Sequence, residues 1–428
     1  MRVVVCTVVH HPADARIFYR EISALLDAGH DVTYIAPHDE AEQRLVQNQG
    51  QDQPADAERS AASSSTAAPG LFPGEAPGRG TLTTVTIPRA VGRRRLGALR
   101  AARAAMAAQA PGADLLLVHD PELLLVLPPR HRRPPTVWDV HEDTVAALTT
   151  KAWLPPFLRS IATGGVRVAE HQAERRLHLL LAERGYNDRF VGSHPVVPNT
   201  TYVPATAAPP SGPRRVVYIG WLSPDRGSAE LVELGRLLQP HGIAVELIGQ
   251  ADGAARAHIE AGGDSVHWHG FVPNAEALRL VEGALAGLSL LQDEPNFRHS
   301  MPTKVAEYMA RGVPVISTPL PLAVELVEAA DGGFVVPFND PQAACDVILK
   351  LDADPDLRVK MGLRAHEYAL RNLAWAPHAA AFVAQLEAWA GDSEPMPARR
   401  TVLPSQGAGC QAGKPATFPV ISTMPGGS

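Results

Sequence analysis

The sequence has few cysteines, no long apolar run and no glycine-rich motif near its start. Its three cysteines, Cys6, Cys345 and Cys410, are scattered along 428 residues and indicate neither a disulfide framework nor a zinc site. No apolar run approaches the roughly 18 residues of a membrane span. The first strand-like run is not followed by GxGxxG, which argues against a dinucleotide-binding dehydrogenase. The start MRVVVCTVV lacks the regions of a secretory signal, so we expect a cytoplasmic protein in a reducing compartment.

The overall composition is that of a globular protein with two domains. The hydrophobic fraction is 45% and the formal net charge is −6, which argues against nucleic acid as the main partner. The length predicts two domains, which we place at residues 1–200 and 214–376, with a linker over 203–213 and a closing helix at 377–391. An insertion at about 40–80 and a tail at 392–428 have the composition of disordered segments.

Predicted strands and helices alternate along both halves of the chain, which indicates parallel sheets covered by helices on both faces. Strands are predicted at 3–9, 31–36, 81–87, 114–118, 136–140, 178–181 and 196–198, then at 215–219, 244–248, 266–271, 287–291 and 333–336. Helices are predicted at 16–28, 93–109, 158–177, 229–238, 275–283, 322–329, 341–351 and 377–390. The fold class is therefore α/β.

The segment HSMPTKVAEYMARGVPVIST, residues 299–318, is the most informative part of the chain. It predicts a helix that begins at Pro302 and ends before Gly312, between two buried strands. One side of this helix is apolar, whereas Lys304, Glu307 and Arg311 form a charged stripe on another side. Because free N–H groups at a helix start favour anions, we expect a phosphate above Thr303 and Lys304.

Two histidine-acid motifs and one basic helix mark the first half. HDPE begins at His119 and HED begins at His141, each at the end of a predicted strand. Because both ends meet at one edge of the sheet, they indicate a functional site. The helix at 93–109 carries Arg93, Arg94, Arg95, Arg100 and Arg103. Its basic face has two interpretations, a solvated surface or a contact with an anionic membrane or acceptor.

Taken together, these motifs resemble the retaining glycosyltransferases of family 4, in the branch with SLPTK-like sequences. The resemblance rests on VHHPADARIFYREISALLDAGHDVTYIAP, HDPELL, WDVHED, YIGWLSPDRG and MPTKVAEYMARGVPVIST, in the expected order. It covers nearly all the chain outside the insertion and the tail. It implies the GT-B fold, in which two doubly wound Rossmann-like domains face a central cleft.

The resemblance also implies a nucleotide-sugar donor, a UDP- or other NDP-sugar, held mainly by the C-terminal domain. The implied donor residues are Gly220, Trp221, Arg226, Val272, His299, Pro302, Thr303, Lys304 and Glu307. Glu307 would accept hydrogen bonds from the ribose hydroxyls, and Arg226 and Lys304 would offset charge on the departing diphosphate without a metal or other cofactor. His119 would lie near the reacting carbon, which completes a catalytic set of His119, Arg226, Lys304 and Glu307.

The implied acceptor lies on the N-terminal side and is lipid-linked, a polysaccharide or a small molecule. The acceptor-side residues are His10, His11, Asp14, Arg16, Asp120, Asp139, His141 and Glu142. Peripheral membrane association, at the inner face of the membrane, is part of the same expectation. No side chain is assigned as a general base.

Three departures from the family pattern leave the sugar open. His299 replaces the common first motif glutamate, Trp221 replaces a common arginine, and the first loop lacks a Gly-Gly pair. Two alternatives to glycosyl transfer are a GT-B nucleotide-sugar epimerase and a catalytically silent GT-B partner subunit.

Overall fold

The structure of the protein is a computed structural model that describes residues 1–37, 79–141, 156–210, 212–298 and 300–391. The predicted disordered insertion and tail, and the predicted site residues Glu142 and His299, lie outside the described residues.

The first half builds a sheet of six parallel strands in the order β3-β2-β1-β4-β5-β6. These strands are β1 Arg2–Cys6, β2 Asp31–Pro37, β3 Leu82–Ile87, β4 Leu115–Val118, β5 Thr136–Val140 and β6 His178–Leu181. The predicted strand at 196–198 is reduced to an isolated bridge between Leu181 and Val196.

The second half builds another sheet of six parallel strands in the order β12-β11-β10-β7-β8-β9. Its strands are β7 Arg215–Ile219, β8 Ala244–Ile248, β9 His267–Gly270, β10 Ala286–Ser289, β11 Val315–Ser317 and β12 Gly333–Val335. If its six strands are renumbered along the chain from its own first strand, this sheet has the same strand order as the first sheet. In each sheet the order reverses between the first and fourth strands. In open parallel sheets, ligands bind beyond the carboxyl ends of the strands at such a point. The predicted pair of doubly wound domains is therefore confirmed.

Helices cover both sheets. The chain forms a π-helical turn at Ile17–Ile22, then α1 Ser23–Asp27, α2 Arg95–Gln109, α3 Pro156–Glu174, α4 Ser228–Leu238, α5 Gly253–Gly262 and α6 Asn274–Val281. It continues with α7 Thr303–Ala310, α8 Pro321–Ala330, α9 Pro341–Ala353, α10 Pro355–Asn372 and α11 Trp375–Ala390. Helix α10 was not predicted, and Pro302 is the N-cap of α7 rather than its first helical residue.

The side chains of the first sheet alternate between two buried clusters. Val3 and Val5 pack with α1, whereas Val4 and Cys6 pack with α2 on the opposite face. Strands that are buried on both faces need continuous apolar runs, which explains RVVVC in β1 and LLLV in β4.

Helix α11 returns to the first sheet. Its residues Trp375 and Phe382 are almost fully buried in the cluster that contains Val3 and Val5. The chain therefore passes between the sheets twice, and the two passages are hydrogen-bonded side by side. The amide of Thr201 donates to the carbonyl of Leu373 at 3.0 Å, and the amide of Trp375 donates to the carbonyl of Thr201 at 2.8 Å.

None of the described helices is both long enough and apolar enough to cross a bilayer.

Candidate functional site

A cluster of histidines and carboxylates lies where β1, β4 and β5 end. We use the name histidine cluster for His10, His119, Asp120, Asp139 and His141, which come from the loops after these strands and from β5 itself. They lie next to the point where the strand order reverses, so the two sequence motifs meet as the strand-end argument predicted.

Asp139 and Arg16 form a buried ion pair in this cluster. Nη2 of Arg16 lies 2.6 Å from Oδ1 of Asp139, and Nε donates to Oδ2 at 2.8 Å. Burial disfavours both charges, but the guanidinium still holds the pKa of Asp139 well below its usual range. Burial alone would lower the pKa of Arg16, and the carboxylates of Asp139 and Glu21 reverse that effect and raise it. Asp139 is therefore ionised and fixed in orientation.

The histidine rings bridge Asp139 to Asp120. Nδ1 of His119 lies 3.2 Å and Nδ1 of His141 lies 3.0 Å from Oδ2 of Asp139. On its far side His141 places Nε2 at 2.9 Å from Nε2 of His10, which lies 3.2 Å from Oδ1 of Asp120. The chain of contacts therefore runs Asp139, His141, His10, Asp120.

Backbone and hydroxyl donors fix Asp120. Its Oδ2 accepts hydrogen bonds from Thr7 Oγ1 at 2.7 Å and from the amides of Val8 at 2.5 Å and Val9 at 3.3 Å. Burial opposes ionisation of Asp120, but His10 and these donors together lower its pKa.

His119 is more deeply enclosed than the sequence suggested. Its side chain is 0% exposed, and its Nε2 faces Glu21 Oε2 at 3.6 Å. Burial lowers the pKa of His119 and raises the pKa of Glu21 well above its ordinary value. The side chain of His119 is therefore an internal partner of Asp139.

Among the described residues, His119, Asp139 and His141 form a group whose ligand atoms lie within 4.8 Å of one another. Both oxygens of Asp139 are already bonded to Arg16, and a guanidinium beside a divalent ion is electrostatically unfavourable. The donor set therefore fits an ion-pair network better than a metal site.

A second group of residues lies where β7 ends and α7 begins. Lys304 is buried, and its Nζ donates to the hydroxyl of Tyr218 at 2.9 Å and lies 4.1 Å from the centroid of that ring. Burial and the neighbouring charge of Arg226 hold the pKa of Lys304 well below its ordinary value. The guanidinium of Arg226 lies 5.5 Å from the ring centroid of Phe297. We call Tyr218, Gly220, Arg226 and Lys304 the cationic pocket.

Two glycines shape the backbone around the cationic pocket. Gly220 has φ of +116°, and a Cβ there would lie 3.7 Å from Cε of Lys304. Gly227 has φ of +82°, and a Cβ there would lie 2.1 Å from the carbonyl oxygen of Leu290. Only glycine fits the second position, because both the conformation and the space exclude a side chain.

Glu307 lies one turn beyond Lys304 and is 7% exposed. Burial raises its pKa against the opposing charges of Arg20 and Arg311, and its side chain hydrogen-bonds that of Asn274. The sequence predicted a charged stripe on α7, but Lys304 and Glu307 are both buried. Arg20 comes from the first half of the chain, so its charge interaction with Glu307 could not be predicted from local sequence patterns.

The remaining predicted residues have varied surroundings. Asp14 accepts hydrogen bonds from the amides of Arg16 at 2.8 Å and Ile17 at 3.0 Å, so it caps the first helical turn. Trp221 is 44% exposed, and Val272 packs at the edge of a core cluster. Thr303 is the first residue of α7.

Loops from the two sheets meet beside both groups. The rings of His11 and Phe271 lie 4.6 Å apart, and Tyr19 contacts the backbone of Asn274. Glu183, two residues beyond β6, contacts the backbone of Met301, and burial raises its pKa to about 7. Glu183 was not predicted, although its position after a strand end was a usable signal.

Residues 213–354 match the protein family described as "Glycosyl transferases group 1". Over 151 residues the chain is 29% identical to the putative colanic acid biosynthesis glycosyltransferase WcaL of Escherichia coli K12. That alignment covers 34% of this chain and 37% of WcaL, so the chain spans little more than a third of this relative's length.

Solved structures with the same fold cover most of the chain. Sucrose-phosphate synthase from Thermosynechococcus elongatus matches with a TM-score of 0.62 at 18% identity, over 90% of this chain and 98% of that one. Anabaena Alr3699/HepE in complex with UDP-glucose matches with a TM-score of 0.61 at 14% identity, over 91% and 100%. WaaG, a glycosyltransferase involved in lipopolysaccharide biosynthesis, matches with a TM-score of 0.58 at 14% identity, over 89% and 98%. The fold is thus GT-B, and residues 213–354 carry a group 1 match that supports a glycosyltransferase.

Proposed function

We propose that the protein is a retaining glycosyltransferase that moves a sugar from a UDP-sugar to a hydroxyl group. The acceptor is lipid-linked, a polysaccharide or a small molecule. The observation that carries the proposal is the cationic pocket at the reversal point of the second sheet, with the Glu307 carboxylate one helical turn away. A nucleoside diphosphate presents the complementary groups, an anionic diphosphate followed by ribose hydroxyls.

The cationic pocket supplies positive charge where a diphosphate would depart. Arg226, Lys304 and the amino end of α7 act on the same side, and burial strengthens their interaction with an incoming anion. Gly220 leaves room for the close approach of a phosphate to the backbone. With this charge in place, donor binding needs no divalent metal.

Glu307 is suited to the ribose of the same ligand. A carboxylate can accept hydrogen bonds from two hydroxyls at once, and each charged bond contributes about 1.5–3 kcal/mol. The charges of Arg20 and Arg311 oppose that of Glu307. The ribose hydroxyls would join these partners.

Comparison with other proteins supports the donor and acceptor classes. HepE was solved in complex with UDP-glucose, and the WcaL name refers to colanic acid biosynthesis. A UDP-sugar donor and a polysaccharide acceptor are therefore the first to be tested.

We propose further that α2 and the adjoining loop contact an anionic membrane. Arg93, Arg94, Arg100 and Arg103 are exposed, and Leu96 is 69% exposed on the same helix. Arginines beside an exposed leucine suit a surface of anionic headgroups. Co-sedimentation with anionic vesicles should be strong, salt-sensitive and lost in Arg100→Glu/Arg103→Glu, and neutral phosphatidylcholine vesicles should bind little. Equal binding to both vesicle types would contradict this contact.

The experiment that tests the function measures UDP binding by calorimetry and sugar release from a panel of nucleotide sugars. We expect UDP to bind equally well with and without EDTA, and one or more donors to be hydrolysed slowly. Binding that requires magnesium would contradict the cationic pocket. An epimerised donor would indicate a nucleotide-sugar epimerase, and nucleotide binding without any hydrolysis or transfer would indicate a silent partner subunit.

A further inference from the structure

We propose that Arg20, a residue of the first half of the chain, donates a hydrogen bond to a ribose hydroxyl of the bound nucleotide and so completes the site of Glu307. This inference rests on the proposed function, because it takes Glu307 as the acceptor for the ribose hydroxyls. It adds a nucleotide-binding residue from the half of the molecule that otherwise holds the acceptor.

Arg20 is buried and lacks a full set of hydrogen-bond partners. The residue is 4% exposed, and its Nη1 donates to the carbonyl oxygen of Thr200. Its Nε is buried as well but has no hydrogen-bond partner among the described residues. A buried donor without a partner is unfavourable, and the oxygen of an incoming hydroxyl would supply the missing acceptor.

Glu307 is the strongest charged neighbour of Arg20. Burial lowers the pKa of Arg20, and Glu307 opposes this effect more than Asp14 or Glu21, two carboxylates from the same half as Arg20. Burial raises the pKa of Glu307, and among its neighbours Arg20 opposes this effect most. The two side chains therefore lie close to each other although they come from different halves of the chain.

Arg20 and Glu307 are nevertheless not in direct contact. Both residues are described, and no ion pair within 4.0 Å joins their side chains. A hydroxyl can donate to a carboxylate and accept from a guanidinium at the same time. With ordinary hydrogen-bond lengths, such a bridge holds the two charged groups roughly 4.5–5.5 Å apart. The lack of direct contact is what a bridging hydroxyl requires.

Two other cations beside Glu307 already have partners. Nη1 of Arg311 donates to a backbone carbonyl at 2.8 Å, and its Nε lies 3.6 Å from Oε1 of Glu282. Nζ of Lys304 donates to a tyrosine hydroxyl at 2.9 Å. Arg20 differs from both, because a buried N–H of its guanidinium still lacks an acceptor among the described residues.

A second contact crosses the same junction. Tyr19 contacts the backbone of Asn274, and the side chain of Asn274 hydrogen-bonds Glu307. Thr200, whose carbonyl binds Arg20, lies at the first passage of the chain between the two sheets. A nucleotide held by Arg20 and Glu307 would therefore bridge the two halves close to their connection.

The test measures, by calorimetry, the preference for UDP over 2′,3′-dideoxy-UDP, which is the ratio of the two dissociation constants. Arg20→Met removes every donor of the side chain, and Arg20→Lys keeps the charge but lacks Nε. We expect the preference to fall about tenfold or more in Arg20→Met and about threefold or more in Arg20→Lys. The control, Arg176→Gln at an exposed position in the same half, should keep the wild-type preference.

The dideoxy nucleotide separates a ribose contact from a structural role. It offers no ribose hydroxyl, so its affinity should change less than about threefold in both Arg20 variants. A disturbed fold would instead weaken the binding of both nucleotides equally.

A double variant shows whether Arg20 and Glu307 act on the same hydroxyls. In Arg20→Met/Glu307→Gln, the loss of UDP affinity should be smaller than the product of the two single losses, because either substitution already breaks the bridge. Single losses that multiply fully would overturn the bridge.

The remaining outcomes distinguish this inference from the proposed function. An unchanged preference in the Arg20 variants, or an equal loss of affinity for both nucleotides, would overturn the inference and leave the proposed function intact. If Arg20→Met does not fold, the result for Arg20→Lys decides. A wild-type protein that binds both nucleotides equally would overturn the ribose role of Glu307 and this inference together. A wild-type protein that binds no UDP would overturn the proposed function itself.

Discussion

The charge of Lys304 is altered by its buried surroundings. Its buried amine has a pKa well below the ordinary value, and a bound diphosphate would raise that pKa again. UDP binding should therefore take up as much as one proton, and affinity should fall up to about tenfold per pH unit wherever the free amine is neutral. Calorimetry from pH 7.5 to 8.5 in buffers of different ionisation enthalpy measures this uptake.

Lys304→Met should abolish the proton uptake, whereas Lys360→Met, at an exposed position, should retain it. Proton uptake that is unchanged in Lys304→Met would mean that another group titrates.

Glu307 provides a second test of a single residue, namely whether its carboxylate binds the ribose hydroxyls. Glu307→Gln removes a charged acceptor, so UDP affinity should fall by about one to two decades, equivalent to about 1.5–3 kcal/mol. A 2′,3′-dideoxy analogue has no hydroxyls to bind and should bind both proteins about equally. Glu328→Gln, on the exposed face of α8, is the control. If the mutant still discriminates the two nucleotides as wild type does, the ribose lies elsewhere.

Residue types at strand ends were readable from the sequence, but their partners were not. The sequence placed Arg16 and Asp139 as separate acceptor contacts, whereas the structure pairs them over 123 positions. Arg20 escaped notice because its link to Glu307 depends on how the two halves meet. Pairing across such separations depends on the packing of whole elements, which local patterns do not encode.

The loop between β7 and α4 is tightly constrained at Gly227. Gly227→Ala adds a Cβ at 2.1 Å from the oxygen of Leu290 and retains a φ of +82°, a conformation that costs about 1–2 kcal/mol before any clash. The loop should shift and displace Arg226, so both melting temperature and UDP affinity should fall. Gly253→Ala, with no atom within 4 Å of the added Cβ, should match wild type. Unchanged UDP affinity in Gly227→Ala would show that Arg226 does not depend on this turn.

Strands were more predictable than helices. The apolar runs of β5 and β7 were located to the residue because a strand buried on both faces has a continuous apolar sequence. Helix α10 was missed because its buried face is made of small or weakly apolar residues, such as Gly362, Ala365 and Ala369, and has little periodic signal. The π-helical start of α1 has no sequence signature that we recognised.

At the scale of the whole molecule, α11 ties the end of the chain to the beginning. Phe382 is 0% exposed beneath the first sheet, so Phe382→Ala should lower the free energy of unfolding by about 3–5 kcal/mol. Leu363→Ala, at a side chain that is 56% exposed on α10, should cost less than about 1 kcal/mol. Denaturant titration measures both. Equal losses in the two variants would contradict the packing of α11 on this sheet.

The return of α11 also determines how chains with this fold can be recombined. A chimera that joins the first half of this chain to the second half of a relative at a single junction near residue 200 would inherit a foreign helix beneath its first sheet. The exchangeable unit is discontinuous and comprises residues 1–200 together with Trp375–Ala390, joined where Thr201 pairs with Leu373 and Trp375. Two coordinated junctions are therefore needed to exchange the first half of the molecule while the second half is kept.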